Sequence, residues 1–232
     1  GVETAKALAW AWGKPLLKVN HLVGHVMANW IIEKNQNNEV PELPAVGLIV
    51  SGGHTDLILM RSLTDWEWVG GTRDDAVGEA FDKAARILGL SYPGGPEIDK
   101  ASQKVSEEEL KKIDKKYKLP RSLLNEDNLD MSFSGIKAAL SRLMQERSQI
   151  SDLRSQMHEE LFVNLIAREF SEAVIEVLVK KTLMATEKFN PKSVILAGGV
   201  AANKALREKL KVQVERRGIM FFVPELKYCG DI

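Results

Sequence analysis

The sequence of 232 residues is poor in several residue types, and each shortage excludes a class of protein. Its one cysteine, Cys229, cannot support a disulfide framework, so we expect a reducing, cytoplasmic compartment. No apolar run approaches the ~20 residues of a membrane span, and the first residues lack the basic and apolar regions of a signal peptide. Lys+Arg and Asp+Glu both number 32, so any polyanionic partner needs a local basic patch.

Histidine is also scarce, yet two of the four histidines lie four residues apart in the run His21-Leu22-Val23-Gly24-His25. On a helix this spacing puts both imidazoles on one face, where they can reach one metal ion. Asp231, which follows a late strand, is the most plausible third ligand, and such a set suits Fe(II) or Zn(II). Leu22 replaces the glutamate base of a zinc peptidase. The alternative is two partly buried helix histidines without a metal.

Hydrophobic spacing predicts strands followed by helices, twice, and therefore an α/β fold. The predicted strands cover residues 16–19, 45–50, 57–60, 66–69, 193–196 and 220–223. The predicted helices cover residues 3–12, 22–31, 75–88, 135–147, 155–189 and 202–214, and a further helix is expected to begin at Pro96.

A glycine-rich turn, Ser51-Gly52-Gly53-His54-Thr55, joins two of the predicted strands. Glycines let backbone N–H groups crowd close to an anion, and the hydroxyls of Ser51 and Thr55 add donors. A Walker A loop needs a Gly-Lys-Ser/Thr ending before a helix, which this turn lacks. The context favours the phosphate-binding hairpins of actin-like ATPases, although an ordinary hairpin turn explains the motif as well.

Two other turns suit a nucleotide, and each has an ordinary alternative. Gly198-Gly199 precedes the helix that carries Asn203, whose amide can bond a ribose or a base, but many strand-to-helix turns need glycine only for packing. Gly94-Gly95-Pro96 with Asp99 is a third candidate wall of the site, or a plain helix start.

Three carboxylates, Asp75, Glu79 and Asp82, fall at helical spacing, and Asp74 or Asp75 is a suitable helix N-cap. Such a row is usually a solvated charged face. The competing interpretation is a carboxylate that binds a hydroxyl group or magnesium at a nucleotide site.

Six ordered segments together resemble one family. They are His21-Leu22-Val23-Gly24-His25, Val50-Ser51-Gly52-Gly53-His54-Thr55, residues 74–83, Tyr92-Pro93-Gly94-Gly95-Pro96, Phe133-Ser134-Gly135-Ile136-Lys137 and Ala197-Gly198-Gly199-Val200-Ala201-Ala202-Asn203. The chain resembles the bacterial-type tRNA threonylcarbamoyladenosine transferases, historically labelled O-sialoglycoprotein endopeptidases, and the resemblance spans essentially all of it.

The resemblance implies an actin-like, two-lobed ATPase-type fold, and a divalent metal, Fe(II) or Zn(II), bound by His21, His25 and Asp231. It also implies a substrate site for threonylcarbamoyl-adenylate or an ATP-type nucleotide. The residues that match the family's substrate site are Ile49, Val50, Ser51, Gly52, Gly53, Asp82, Gly95, Asp99 and Asn203.

The implied reaction attaches the threonylcarbamoyl group to the N6 amine of the adenosine beside the anticodon, in tRNAs that read codons beginning with A. The implied partners are tRNA, the inactive paralogue TsaB and the ATPase TsaE. A carbamoyltransferase of the hydrogenase-maturation type and a non-catalytic nucleotide-binding subunit remain alternatives.

We expect the chain to be a fragment: residues 1–20 from a remnant of the N-terminal lobe, residues 21–225 from the C-terminal lobe, and residues 226–232 returning toward the first lobe. Two basic patches are candidates for contacting tRNA. One comprises Lys111, Lys112, Lys115, Lys116 and Arg121, and the other Lys204, Arg207, Lys209, Lys211, Arg216 and Arg217.

Overall fold

A five-stranded mixed sheet organises the protein in a computed structural model that describes residues 1–31, 39–111, 113–148 and 156–230. The strand order is β3-β2-β1-β4-β5, where β1 pairs antiparallel with β2 and parallel with β4. The strands are β1 (Ala45–Val50), β2 (Thr55–Met60), β3 (Trp66–Gly71), β4 (Ser193–Ala197) and β5 (Met220–Phe222).

The described ranges contain eight α-helices, of which the sequence predicts all but the short α5. They are α1 (Val2–Ala11), α2 (His21–Met27), α3 (Val77–Ile87), α4 (Gly94–Gln103), α5 (Glu107–Lys111), α6 (Ser134–Ser148), α7 (Gln156–Phe189) and α8 (Lys204–Glu215). None of the helices in the described part of the chain is long and apolar enough to span a membrane.

The central strand β1 is buried along its whole length because both faces of the sheet are covered. Successive side chains of a strand point to opposite faces. Val46, Leu48 and Val50 therefore join the main core with α3, α4, α6, α7 and α8. Ile49 points the other way and packs near Val26 of α2. The turn that follows β1 thus emerges between two packed layers.

Helix α7 is the longest element, with 34 residues and a length of about 51 Å at 1.5 Å per residue. It packs against α3, α4 and α8. The ring of Phe170 on α7 meets that of Phe81 on α3 edge to face, with centroids 5.4 Å apart. This packing fixes α3 beneath the end of β1.

Most predicted elements are confirmed, including the hairpin of β1 and β2 and the unit of β4 and α8. The predicted strand at residues 16–19 is wrong: Leu17 and Val19 are exposed, and no described strand pairs with this segment. A strand needs a neighbour for its backbone groups, and apolar composition alone does not supply one.

The predicted N-caps of α3 are also wrong, because Ala76 occupies that position and Asp74 and Asp75 bond other groups. Helix α4 begins at Gly94, so Pro96 is its third residue and not its first. The division into residues 1–20, 21–225 and 226–232 stays a prediction.

Candidate functional site

A cavity of about 350 Å³ opens where the first and fourth strands end. Its walls come from the turn after β1, from α3, from the start of α4 and from the turn after β4. The lining residues are Gly52, Gly78, Phe81, Asp82, Pro93, Gly95, Pro96, Asp99, Gly199, Val200, Ala202 and Asn203. Ligands of α/β sheets commonly bind at such a carboxyl end of parallel strands.

The turn after β1 is held closed by two hydrogen bonds between Ser51 and His54. The N–H of Ser51 donates to the carbonyl of His54 at 2.9 Å, and the N–H of His54 donates to Ser51 Oγ at 3.1 Å. Thr55 Oγ1 accepts the N–H of Val77 at 2.7 Å, which ties the turn to the start of α3. A Cβ on Gly78 would lie only 2.6 Å from the Ser51 carbonyl oxygen, so the helix packs directly on the turn.

Asp82 connects two walls of the cavity. One of its oxygens, Oδ1, accepts the N–H of Gly94 at 2.8 Å and so satisfies a free backbone donor at the start of α4. The carboxylate lines the cavity at the same time. The charge of Asp82 therefore lies beside the cavity in an orientation that α4 helps to fix.

Asp99 and Asn203 are likewise held by local hydrogen bonds. Gln103 Nε2 donates to Asp99 Oδ2 at 3.0 Å across one turn of α4. Asn203 is the N-cap of α8, and its Oδ1 accepts the N–H of Leu206 at 2.9 Å. Its amide nitrogen remains available to a ligand in the cavity, because the cap uses only the oxygen.

Gly198 lets the turn after β4 approach β1. Its φ of 93° lies in the region that favours glycine, and a Cβ there would lie 2.4 Å from the Val50 carbonyl oxygen. Any side chain would push the two strand ends apart. The neighbouring Gly199 lies near the Cys229 backbone, where a built Cβ would be 3.9 Å from the carbonyl oxygen.

The histidine pair lies on the other side of the Ser51–Thr55 turn. His21 Nε2 and His25 Nε2 are 3.1 Å apart, and the α2 N-cap Asn20 holds the first turn of the helix. The ring of His54 lies 6.4 Å from that of His21, centroid to centroid. One turn therefore presents Gly52 to the cavity and His54 to the histidine pair.

Two lysines surround Asp75 beside the start of α3. Lys83 Nζ lies 2.7 Å from Asp75 Oδ1, and Lys137 Nζ lies 2.9 Å from Oδ2. The hydrogen bond from Lys83, together with Lys137, holds the pKa of Asp75 below its ordinary value and outweighs its partial burial. Lys83 also pairs with Glu79, four residues earlier on α3. The three carboxylates therefore do not form one solvated row: Asp75 lies before α3 and shares Lys83 with Glu79, whereas Asp82 bonds the start of α4.

The structure brings five of the predicted substrate residues to one cavity: Gly52, Asp82, Gly95, Asp99 and Asn203. The others lie apart from its lining. Ile49 and Val50 are core residues of β1, Ser51 is buried in the turn, and Gly53 is exposed. The predicted role of all nine residues in substrate binding stays a prediction.

The described residues contain no cluster of three His, Cys, Asp or Glu side chains suited to a metal, and the predicted third ligand Asp231 lies outside those residues. Sequence reasoning did not assign five lining residues to the site: Gly78, Phe81, Pro93, Val200 and Ala202. The signal was present for Phe81, which adjoins Asp82 on an amphipathic helix. Gly78 gave no signal, since its role depends on the distant Ser51 turn.

Comparisons with known proteins agree along the entire chain. A family model described as TsaD: tRNA N6-adenosine threonylcarbamoyltransferase matches residues 1–232. Proteins with that name from Staphylococcus carnosus and Dehalococcoides mccartyi are 43% and 46% identical, over 100% of this chain. The chain spans 61% and 62% of the length of these two relatives.

A solved structure of full-length HypF, in the phosphate- and nucleotide-bound form, superimposes with a TM-score of 0.64 over 97% of this chain and 42% of that protein. At 12% identity the likeness shows the fold alone, which is α/β of the actin-like kind. The family model and the relatives identify the family, whereas this structural neighbour does not. The chain belongs to the tRNA N6-adenosine threonylcarbamoyltransferase family.

Proposed function

We propose that this chain forms the substrate and metal site of an enzyme that transfers threonylcarbamoyl from threonylcarbamoyl-adenylate to tRNA. The observation that carries the proposal is the shared cavity, in which Gly52, Gly95 and Gly199 surround Asp82, Asp99 and Asn203. The family name gives the reaction class. The acceptor is the N6 amine of the adenosine next to the anticodon, in tRNAs that read codons beginning with A.

The cavity supplies the contacts that an adenylate needs. The glycines let the planar base and the phosphate approach the backbone, where N–H groups can donate to phosphate oxygens. Asp82 and Asp99 can accept hydrogen bonds from ribose hydroxyls, and the amide nitrogen of Asn203 can donate to the base. A cavity of about 350 Å³ falls within the range of small-ligand sites.

The proposed transfer forms one bond and breaks one. The N6 nitrogen attacks the carbamoyl carbon, the bond from that carbon to the phosphate oxygen breaks, and AMP leaves with the electron pair. The amine loses one proton, which the departing phosphate or water can take. An exocyclic aromatic amine is a weak nucleophile, so the residues of the site must orient both reactants and exclude water.

The geometry of His21 and His25 fits one shared metal ion. Two ligand nitrogens at about 2.1 Å from a tetrahedral ion lie roughly 3.4 Å apart, close to the 3.1 Å between the two Nε2 atoms. A direct hydrogen bond between the rings explains the same distance without a metal. Asp231 is the proposed third ligand. Bound Fe(II) or Zn(II) would act as a Lewis acid on a carbamoyl or phosphate oxygen.

The activity test uses the complete product of the gene that encodes this chain. It is incubated with threonylcarbamoyl-adenylate and unmodified tRNA, with and without TsaB and TsaE, and the digested tRNA is analysed by mass spectrometry. We expect threonylcarbamoyladenosine only in tRNAs that read codons beginning with A. Transfer from carbamoyl-adenylate instead, or no modified adenosine with any partner combination, would overturn the proposal.

The metal test measures metal per chain by elemental mass spectrometry. We expect about one Fe or Zn, retained in Asp127→Ala and lost in His21→Ala, His25→Ala and Asp231→Ala. Asp127 is an exposed acid that the site does not use. Equal metal content in all variants would show that the histidine pair is hydrogen-bonded and not a metal site.

A further inference from the structure

A second cavity, which the proposed reaction does not use, lies between α6 and the segment before it. It has a volume of about 300 Å³ and is named here the basic pocket. Its lining residues are Lys116, Tyr117, Lys118, Leu119, Ala139, Arg142, Leu143, Glu146 and Arg147. The α6 members recur every three to four residues, so one face of that helix forms a wall.

The basic pocket carries an excess of positive charge. Four of its lining side chains are cations and only Glu146 is an acid. Lys118 Nζ is paired with Glu169 at 2.8 Å, and Lys116 Nζ lies 3.6 Å from Asp114. Arg142 forms no ion pair with any residue in the described ranges and is exposed. Its guanidinium is therefore available to an anion.

Aromatic rings make one side of the basic pocket rigid. Tyr117 packs edge to face on Phe162 with ring centroids 5.3 Å apart. The guanidinium of Arg147 lies over the same Phe162 ring, 4.6 Å from its centroid. Tyr117 is only half-buried, so part of its ring is open to the cavity. Lys116 Nζ lies 4.7 Å from the centroid of the Tyr117 ring. A cationic wall beside a partly exposed ring is the combination that binds a phosphate and stacks an adjoining base.

The segment that carries Lys116, Tyr117 and Lys118 is anchored from below. Glu169 of α7 is fully buried and accepts hydrogen bonds from Lys118 Nζ, from Leu119 N–H and from Arg121. Arg121 also pairs with Glu176 at 3.0 Å. Lys118 and the backbone of this wall of the basic pocket are therefore positioned before any ligand arrives, which lowers the ordering cost of binding.

The other predicted basic patch, on and near α8, is largely neutralised. Lys204, Lys209 and Lys211 pair with Glu208, Glu172 and Glu215. Arg217 lies 3.7 Å from Glu187. Paired surface charges present little net field to a polyanion. The basic pocket is therefore a stronger candidate for binding RNA than the patch on and near α8.

We propose that the basic pocket binds a backbone phosphate of the RNA substrate, with Arg142 and Lys116 as the contacting cations and Tyr117 as a stacking platform. This inference rests on the proposed function for the identity of the RNA. The same cations could hold free phosphate, so the experiment compares tRNA with inorganic phosphate.

The experiment measures the binding of unmodified tRNA to the complete gene product at several salt concentrations. The variant Arg142→Gln/Lys116→Gln is compared with Lys188→Gln/Lys192→Gln, which removes the same charge from exposed positions at and just after the end of α7. The log of the affinity falls linearly with the log of the salt concentration, and each lost phosphate contact makes this slope shallower by roughly 0.7–0.9. We expect the pocket variant to bind about tenfold more weakly with a slope reduced by one to two. The control should match the wild type.

Several results decide the matter. Equal weakening in the control would mean general charge attraction, and an unchanged slope in the pocket variant would remove the pocket from the RNA surface. Inorganic phosphate that binds wild type but not the variant, while tRNA affinity stays the same, would also overturn the proposal. Tyr117→Leu should weaken tRNA binding with no change in slope. Failure of the proposed function would be recognised differently: the activity test would find no threonylcarbamoyladenosine although the protein still binds tRNA.

Discussion

Asp82 combines a structural contact with a place in the candidate substrate site, and a substitution can separate the two. Asp82→Asn keeps an oxygen that can accept the Gly94 N–H but removes the charge beside the cavity. We expect affinity for an adenylate analogue to fall about tenfold, or ~1.4 kcal/mol. The free energy of unfolding should change by less than ~1 kcal/mol.

Asp82→Ala is the matched comparison, because it removes both the charge and the acceptor. It should lose affinity and also destabilise the protein by about 1–3 kcal/mol, since the start of α4 loses its partner. Calorimetry with the analogue and urea unfolding measure the two quantities. Wild-type affinity in Asp82→Asn would show that the carboxylate only supports α4.

Two glycines of the cavity differ in what a methyl group would meet. In Gly78→Ala the new Cβ would lie 2.6 Å from the Ser51 carbonyl oxygen and 2.8 Å from Gly52 Cα, so α3 and the turn must separate. We expect a loss of about 1–3 kcal/mol in urea unfolding. Gly95→Ala meets nothing within 4 Å and lies in α4, where alanine should be neutral or stabilising by up to ~1 kcal/mol. Equal stabilities would contradict this account of the packing.

At the scale of residues, the sequence predicts what depends on near neighbours. The turns at Gly52, Gly95 and Gly199 are recognisable in the sequence because each contains two adjacent glycines, and all three glycines line the cavity. The need for glycine at position 78 is not visible, because the atoms that exclude a side chain belong to Ser51 and Gly52, which lie 27 and 26 positions away in the sequence. Close approaches between distant segments have no local pattern.

At the scale of elements, Asp74 links the loop before α3 to the start of α6. Its carboxylate accepts hydrogen bonds from the backbone of Phe133 and Ser134 and from the hydroxyls of Ser132 and Ser134. Partial burial would raise the pKa of Asp74, but the hydrogen bonds together lower it below the ordinary value. The Phe-Ser-Gly-Ile-Lys segment is thus fixed by an acid from another element.

Removing that acid should loosen the start of α6. We expect Asp74→Ala to reduce the free energy of unfolding by about 1 kcal/mol at pH 7, whereas Asp127→Ala should change it little. A lowered folded-state pKa gives stability that is present above the unfolded value near ~3.9 and is lost as pH falls through the folded value. The difference between wild type and Asp74→Ala should therefore shrink below about pH 4. A difference that is constant down to pH 3 would refute the charge-based account.

The same loop marks the limit of predicting elements from sequence. Asp74 and Asp75 have the composition of N-caps, but α3 begins after Ala76 because Gly78 must pack on the Ser51 turn. The hairpin of β1 and β2 was predictable, since two short apolar runs and the glycine-rich turn between them lie within one continuous segment. Tertiary contacts moved the start of α3 and left residues 16–19 without a partner strand.

At the scale of the whole molecule, the segment between α5 and α6 depends on one buried acid of α7. Glu169 is fully buried and accepts hydrogen bonds from Lys118, Arg121 and Leu119. A buried carboxylate is costly unless it is paired, and here two cations and a backbone donor satisfy it. The segment is thereby joined to the helix that packs against α3, α4 and α8.

Substitution of Glu169 tests whether this segment unfolds with the rest of the protein or before it. Glu169→Gln retains an oxygen for the Leu119 N–H and should destabilise the protein by about 1–2 kcal/mol. Glu169→Ala leaves that N–H and Arg121 without this acceptor and should destabilise the protein by ~3 kcal/mol or more. Hydrogen exchange should show faster exchange across residues 113–121 in Glu169→Ala, while β1 and β4 stay protected. Uniform loss of protection over the sheet and the segment would mean that the two unfold as one unit and that Glu169 is not a local tether.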